Sequence, residues 1–156
     1  MPSHEHRFDC RLTWTGAAGG PTTSYEAYAR DLRVEVPGKP PLDVSAALAF
    51  RGDPARHNPE DLLLAALSTC HCLSYLALSA RAGIAVVAYE DDVSGILARA
   101  VDRKLRFTEV TLHPRVRVAP GADRAKALAL HDLAHEECFI ARSMNFPVRH
   151  EPTIED

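Results

Sequence analysis

The stretch that decides the fold is His57–Gly83, HNPEDLLLAALSTCHCLSYLALSARAG. Asn58 suits a helix N-cap, and Pro59 suits the first helical position, where a missing N–H costs nothing. Asp61, three residues past the cap, can reach back to it as a variant capping box. Glu60 and Asp61 sit at the positive end of the helix dipole and Arg81 at the negative end. Gly83 can close the helix in a left-handed conformation. Between these ends the leucines, Tyr75 and the alanines make no single stripe, and no Asp, Glu, Lys or Arg occurs from Leu62 to Ala80. A helix apolar all round is either a buried central helix or a membrane span. This one is barely long enough to cross a bilayer, and Ser68, Thr69, His71, Ser74 and Ser79 dilute it. No second span follows, so the reading is a long buried helix with no membrane partner.

Working outward, 156 residues are most simply one domain, residues 1–156, long enough to bury a core. A formal charge of −3 offers no basic footprint for nucleic acid. His4, Glu5, His6, Arg7 and Asp9 interrupt any apolar N-terminal run, so no secretory signal is expected. Four cysteines in such a chain point to a reducing, cytoplasmic setting. There, cysteines are buried, catalytic or metal-binding rather than disulfide staples.

Before the helix, residues 4–14, 28–36 and 42–50 read as strands, separated by a Gly-Ala-Ala-Gly-Gly-Pro loop and a Pro37-Gly38 turn. After it, residues 85–97 and 104–118 read as a long hairpin turning near 100–103, with Pro114 marking an edge or bulge. Residues 121–137 read as a second helix, 138–144 as a short third helix or its tail, and 148–154 as a last strand. Runs of strands with few helices between them predict an α+β fold with a mostly antiparallel sheet.

Cys70 lies in the middle of the long helix. Its plain role is that of a small core hydrophobe. A reactive role needs a lowered thiolate pKa, and the dipole fades within the first turn, so a cation from outside the helix is required. Cys138 sits near a predicted helix start, where the dipole can favour a thiolate, but on its own it too reads as a structural residue. Cys10 falls on a strand without a motif, and Cys72 points about 160° away from Cys70 on the helix. His131, His135 and Cys138 fall on one helical face at i, i+4 and i+7. Only two of these pieces have ligand-like spacing, and the Cys-His-Cys run at 70–72 does not match the usual zinc patterns, so no metal is expected.

Asn58-Pro59-Glu60-Asp61-Leu62-Leu63, followed by Ser68-Thr69-Cys70, resembles the OsmC/Ohr family of osmotically inducible and organic hydroperoxide resistance proteins. The family pairs Asn-Pro-Glu with a Cys twelve positions after the Asn and a second Cys far downstream, which Cys138 matches. The strand and helix order matches too, so the resemblance covers nearly the whole chain. It implies a thiol-dependent peroxidase without a cofactor, acting on organic hydroperoxides and regenerated by an external dithiol. Cys70 would be the peroxidatic cysteine, Cys138 the resolving one, and Glu60 the holder of an activating arginine. Arg51 fits that arginine with one gap, and Arg56 is the runner-up. In the Ohr branch the arginine comes from the loop between the first two strands. There the sequence reading finds Gly-Ala-Ala-Gly-Gly and no arginine, which favours the OsmC-like side. The resemblance also implies an intertwined two-fold homodimer with composite sites. Glu60 and Cys70 are ten residues apart, about 15 Å along one helix, so a single arginine head cannot touch both from one chain.

Two departures stand out: Thr69-Cys70-His71-Cys72 where the family often has Ala-Cys-Phe, and Cys138-Phe139-Ile140-Ala141 without the usual following proline. A binding or redox-sensing protein on the same scaffold is the alternative. A metal-binding protein is the third reading.

Overall fold

The computed structural model describes residues 5–155. They form two compact units, one ending at Leu62 and the other beginning at Leu63, so the boundary falls in the first turn of the long helix.

In the first unit, β1 (Arg11–Trp14), β2 (Leu32–Glu35) and β3 (Leu42–Val44) make a three-stranded antiparallel sheet in the order β1-β2-β3. All three are shorter than the sequence predicts. Residues 5–10 stay outside the ladder, and His4 lies outside the described residues. β2 begins at Leu32 rather than Tyr28 because a side chain occupies the backbone before it. The Arg30 guanidinium lies 4.7 Å over the Tyr25 ring and 4.0 Å over the Tyr28 ring. It also donates to the carbonyls of both tyrosines. β3 ends at Val44 because Ser45 turns to other partners. Its N–H donates to His57 O (2.9 Å), and its hydroxyl accepts from Asp53 N–H (3.0 Å). Leu48–Phe50 is a 3-10 turn, in keeping with the low strand preference of the alanines around it.

The long helix α1 runs Pro59–Arg81. Its start is a reciprocal capping box: Asn58 Oδ1 accepts from Asp61 N–H (2.9 Å), and Asp61 Oδ2 accepts from Asn58 N–H (3.3 Å). It ends in a Schellman motif. Gly83 has φ 74°, its N–H reaches Ala80 O (3.2 Å), and Ile84 N–H reaches Ser79 O (2.9 Å). By length and composition it could cross a membrane. Its buried residues nevertheless join two protein cores. Tyr75 and Leu78 pack with Val116, Ala127 and Ala134, and Leu67 packs with Val110 and Leu112.

In the second unit the predicted long hairpin forms, but it breaks at mid-length. β4 (Val86–Asp91) pairs antiparallel with β7 (Pro114–Val118), and β5 (Ser94–Arg99) pairs antiparallel with β6 (Leu105–Leu112). Pro114 offers no N–H at the break. The Asp91 carboxylate stands in as a ladder partner there, accepting His113 N–H at 2.7 Å and the Ser68 hydroxyl of α1 at 2.6 Å. The predicted last strand is likewise two. β8 (Val148–His150) and β9 (Thr153–Glu155) flank Glu151-Pro152 and add parallel to β6 and β7. The sheets are therefore β4-β7-β9 and β5-β6-β8. Helix α2 spans Arg124–Glu137, capped by Asp123, whose side chain accepts Lys126 N–H at 2.9 Å. The short α3 spans Phe139–Arg142.

Candidate active site

Cys138 occupies the joint between α2 and α3. Its extended backbone (φ −72°, ψ 102°) ends one helix and caps the next. The predicted helix start at this residue is thus present, as a separate short helix. The joint turns the side chain inward, and the residue is 1% exposed. Its sulfur accepts Ala141 N–H at 3.4 Å, and the Cys70 thiol lies close enough to help raise its pKa. The structure therefore brings together two thiols that lie 68 residues apart in sequence. Both are free, and both are buried.

Burial pushes the Cys138 thiol up to about 11. The contact with Cys70 adds to the rise, and the Ala141 amide opposes it. Cys138 therefore stays protonated at neutral pH. Ile140 and Ala141, in the turn it caps, pack with Met144 on the Leu67–Val110–Leu112 core. Cys72 is half-buried, and burial followed by the charge of Asp91 raises its thiol. Cys10 is exposed.

Glu60 lies in the first turn of α1. One of its carboxylate oxygens, Oε2, is buried without a hydrogen-bond partner among the described residues. Such an oxygen is costly unless a donor reaches it. Arg51 follows the 3-10 turn in a left-handed backbone (φ 65°, ψ 27°). Its side chain is exposed and has no hydrogen-bond or ion-pair partner among the described residues. Arg56, by contrast, is engaged by Asp53 (3.3 Å) and Asp31 (3.7 Å).

One arginine was missed in sequence. The β1–β2 connection runs over residues 15–31 and so includes Arg30, which alternation alone assigns to a strand over 28–36. The supposed lack of an arginine in that loop is thereby corrected, and it no longer separates the two branches. The aromatic-rich run Tyr25–Arg30 was the available signal, since aromatic rings alternating with a cation favour stacking over pairing.

His71 of α1 and His131 of α2 are fully buried and hydrogen-bonded to each other, with His71 Nε2 and His131 Nδ1 3.0 Å apart. The face shared by His131, His135 and Cys138 is split, since Cys138 turns to Cys70 while His131 turns to His71. Among the described residues no three His, Cys, Asp or Glu side chains are placed to hold a metal.

A fold in which a capped Asn-Pro-Glu helix brings its mid-helix cysteine against a second, distant cysteine can be compared with known proteins. The family model described as OsmC-like protein matches residues 52–153. The chain belongs to the OsmC-like protein family. A solved OsmC-like protein of unknown function from Vibrio cholerae is 30% identical, with a TM-score of 0.87, over 96% of this chain and 100% of that one. An organic hydroperoxide resistance protein OsmC from Legionella pneumophila is 18% identical (TM-score 0.70, covering 97% and 98%) and shares the fold. So does the organic hydroperoxide resistance protein OhrB of Bacillus subtilis, at 22% identity (TM-score 0.65, covering 94% and 98%). A comparison with curated proteins gives no match.

Proposed function

We propose that the protein is a thiol-dependent peroxidase of organic hydroperoxides, working in a reducing cytoplasmic compartment and needing no cofactor. The observation that carries this reading is that the free, buried thiols of Cys70 and Cys138 lie near enough for one to perturb the other. Two structural cysteines need not meet, whereas a peroxidatic and a resolving cysteine must. The Cys70 thiolate attacks the outer peroxide oxygen and the O–O bond breaks. The leaving alkoxide takes a proton and departs as the alcohol, leaving Cys70 as a sulfenic acid. The Cys138 thiol then attacks that sulfur, water leaves, and a Cys70–Cys138 disulfide forms. An external dithiol returns both to thiols by exchange. The apolar residues beside the sulfurs favour a peroxide with an alkyl or aryl body.

The activating cation in this reading is Arg51 of a second copy of the chain, anchored by Glu60. Three observations support this. Arg51 is exposed and unpaired, Glu60 has a buried oxygen in need of a donor, and α1 leaves Leu73 67% exposed. A two-fold partner would cover that apolar face and complete the site. Light scattering should therefore return a dimer; a fully active monomer would count against the composite site.

The chemistry is tested with cumene hydroperoxide and a dithiol. Cys70→Ser should abolish consumption, and Cys138→Ser should consume about one peroxide per chain and then stall. Undiminished turnover in the Cys70 variant would remove the assignment. Peroxide-dependent disulfide formation without turnover under excess dithiol would favour a sensor instead.

A further inference from the structure

The β1–β2 connection builds a second candidate site, wholly within the first unit. Trp14, Tyr28, Leu32 and Pro59 wall an open pocket of about 330 Å³, with Arg30 as its charged member. The walls are held in place. The Trp14 indole N–H donates to Ala29 O at 2.8 Å, and its ring meets Tyr28 edge-to-face at 6.1 Å. Arg30 is fixed between the rings of Tyr25 and Tyr28 and donates to their carbonyls.

What Arg30 lacks is a counter-charge. No carboxylate among the described residues pairs with it, and the neighbouring Asp31 faces Arg56 at 3.7 Å. Two of its five N–H donors serve the tyrosine carbonyls, so three have no protein acceptor. A half-buried guanidinium, held rigid on an aromatic wall with donors to spare, suits a carboxylate, which accepts two parallel N–H bonds.

We propose that this pocket binds a small aryl monocarboxylate, its ring against Trp14 and Leu32 and its carboxylate on Arg30. The aromatic walls select a flat apolar body, and the uncompensated cation selects the acid over neutral analogues. The lining residues include neither cysteine and the binding test uses no peroxide, so this proposal and the peroxidase reading fail on different measurements.

Trp14 is the single tryptophan of the chain, so its fluorescence reports on the pocket directly. Titration of the full chain with 3-phenylpropanoate should give a saturable change. 3-Phenylpropan-1-ol should bind at least about tenfold more weakly, as expected for losing a charge-assisted pair. Acetate, with the charge but no ring, should be weaker still. Arg30→Gln should bring the acid to the level of the alcohol. Because Arg30 also braces its own loop, the acid–alcohol–acetate comparison on the unaltered protein stands without the variant. No saturable change, equal binding of acid and alcohol, or acetate binding as tightly as the aryl acid would each overturn the proposal.

Discussion

Arg51 is held in a conformation that ordinarily belongs to glycine (φ 65°, ψ 27°), at a cost of about 1 kcal/mol for a residue with a Cβ. Its own chain gives nothing back: the side chain is exposed and unpaired among the described residues. The next residue explains why the corner cannot relax. A Cβ on Gly52 would lie 1.6 Å from Ala46 O, so the backbone is packed against itself there. Strain without a structural return is what the proposed role for its head group predicts. Arg51→Gly should therefore leave the melting temperature unchanged or raise it by about 2–4 °C, while peroxide turnover falls by more than tenfold. Arg56→Ala should do the reverse. It loses two partly exposed ion pairs, costing less than about 1 kcal/mol, and keeps its turnover. Calorimetry and a peroxide assay on the same preparations decide it; a silent Arg51→Gly in the assay would discard Arg51 as the activating cation.

At the scale of elements, Asp91 controls the bend in the long hairpin. Its carboxylate takes one bond from the strand that follows and one from α1, so it ties the helix that carries Cys70 to the sheet. Asp91→Ala would strand His113 N–H and the Ser68 hydroxyl, costing about 2–3 kcal/mol in urea unfolding. Ser68→Ala should cost about 1 kcal/mol, and the pair should be non-additive because the partner is shared. Additive losses would show that the two bonds do not act together. This bend also marks the limit of what the sequence discloses. The ends of α1 were legible to the residue, because Asn58, Asp61 and Gly83 act through bonds only three to five positions long. The hairpin partners were legible from alternation. The breaks at Asp91–Ser94 and at Glu151-Pro152 were not, since each follows from long-range partners that periodicity does not encode. The same holds at the site. Asn-Pro-Glu and the Cys spacing suggested which cysteines to pair, but only the folded chain shows Cys138 turned inward at a helix joint. Arg30 escaped notice because the bonds that take it out of β2 are made by its own side chain.

Across the molecule, acid should weaken the second unit through its histidines, which join α1, α2 and β8. His71 and His131 share one hydrogen bond at 3.0 Å, and the His131 ring stacks on Tyr75 at 3.9 Å. His150 stands 5.6 Å from the His71 ring and 5.0 Å from the His135 ring, with Asp132 bonded to its Nε2 at 2.9 Å. A neutral pair can share a single proton, and His71 Nδ1 and His131 Nε2 are buried without partners, so an added proton meets neither water nor an acceptor. Burial accordingly lowers His71 to about 4 and His131 to about 3, and lowers His135 as well. The other histidines add to the fall, while Asp132 opposes it at His131, and Asp132 and Glu136 oppose it at His135. The sign follows from linkage. Unfolded, these rings take protons near 6.5; folded, they do not until the pH is far lower. The unfolded state therefore binds more protons between those two pH values. Stability is full above about pH 6.5 and falls as the pH drops toward 4. The loss should be on the order of 2 kcal/mol per buried ring at pH 5. The urea midpoint should thus be lower at pH 5 than at pH 7.5, and His71→Phe combined with His131→Phe should flatten that difference even if it shifts both midpoints. An unchanged pH dependence in the double variant would show that acid acts elsewhere.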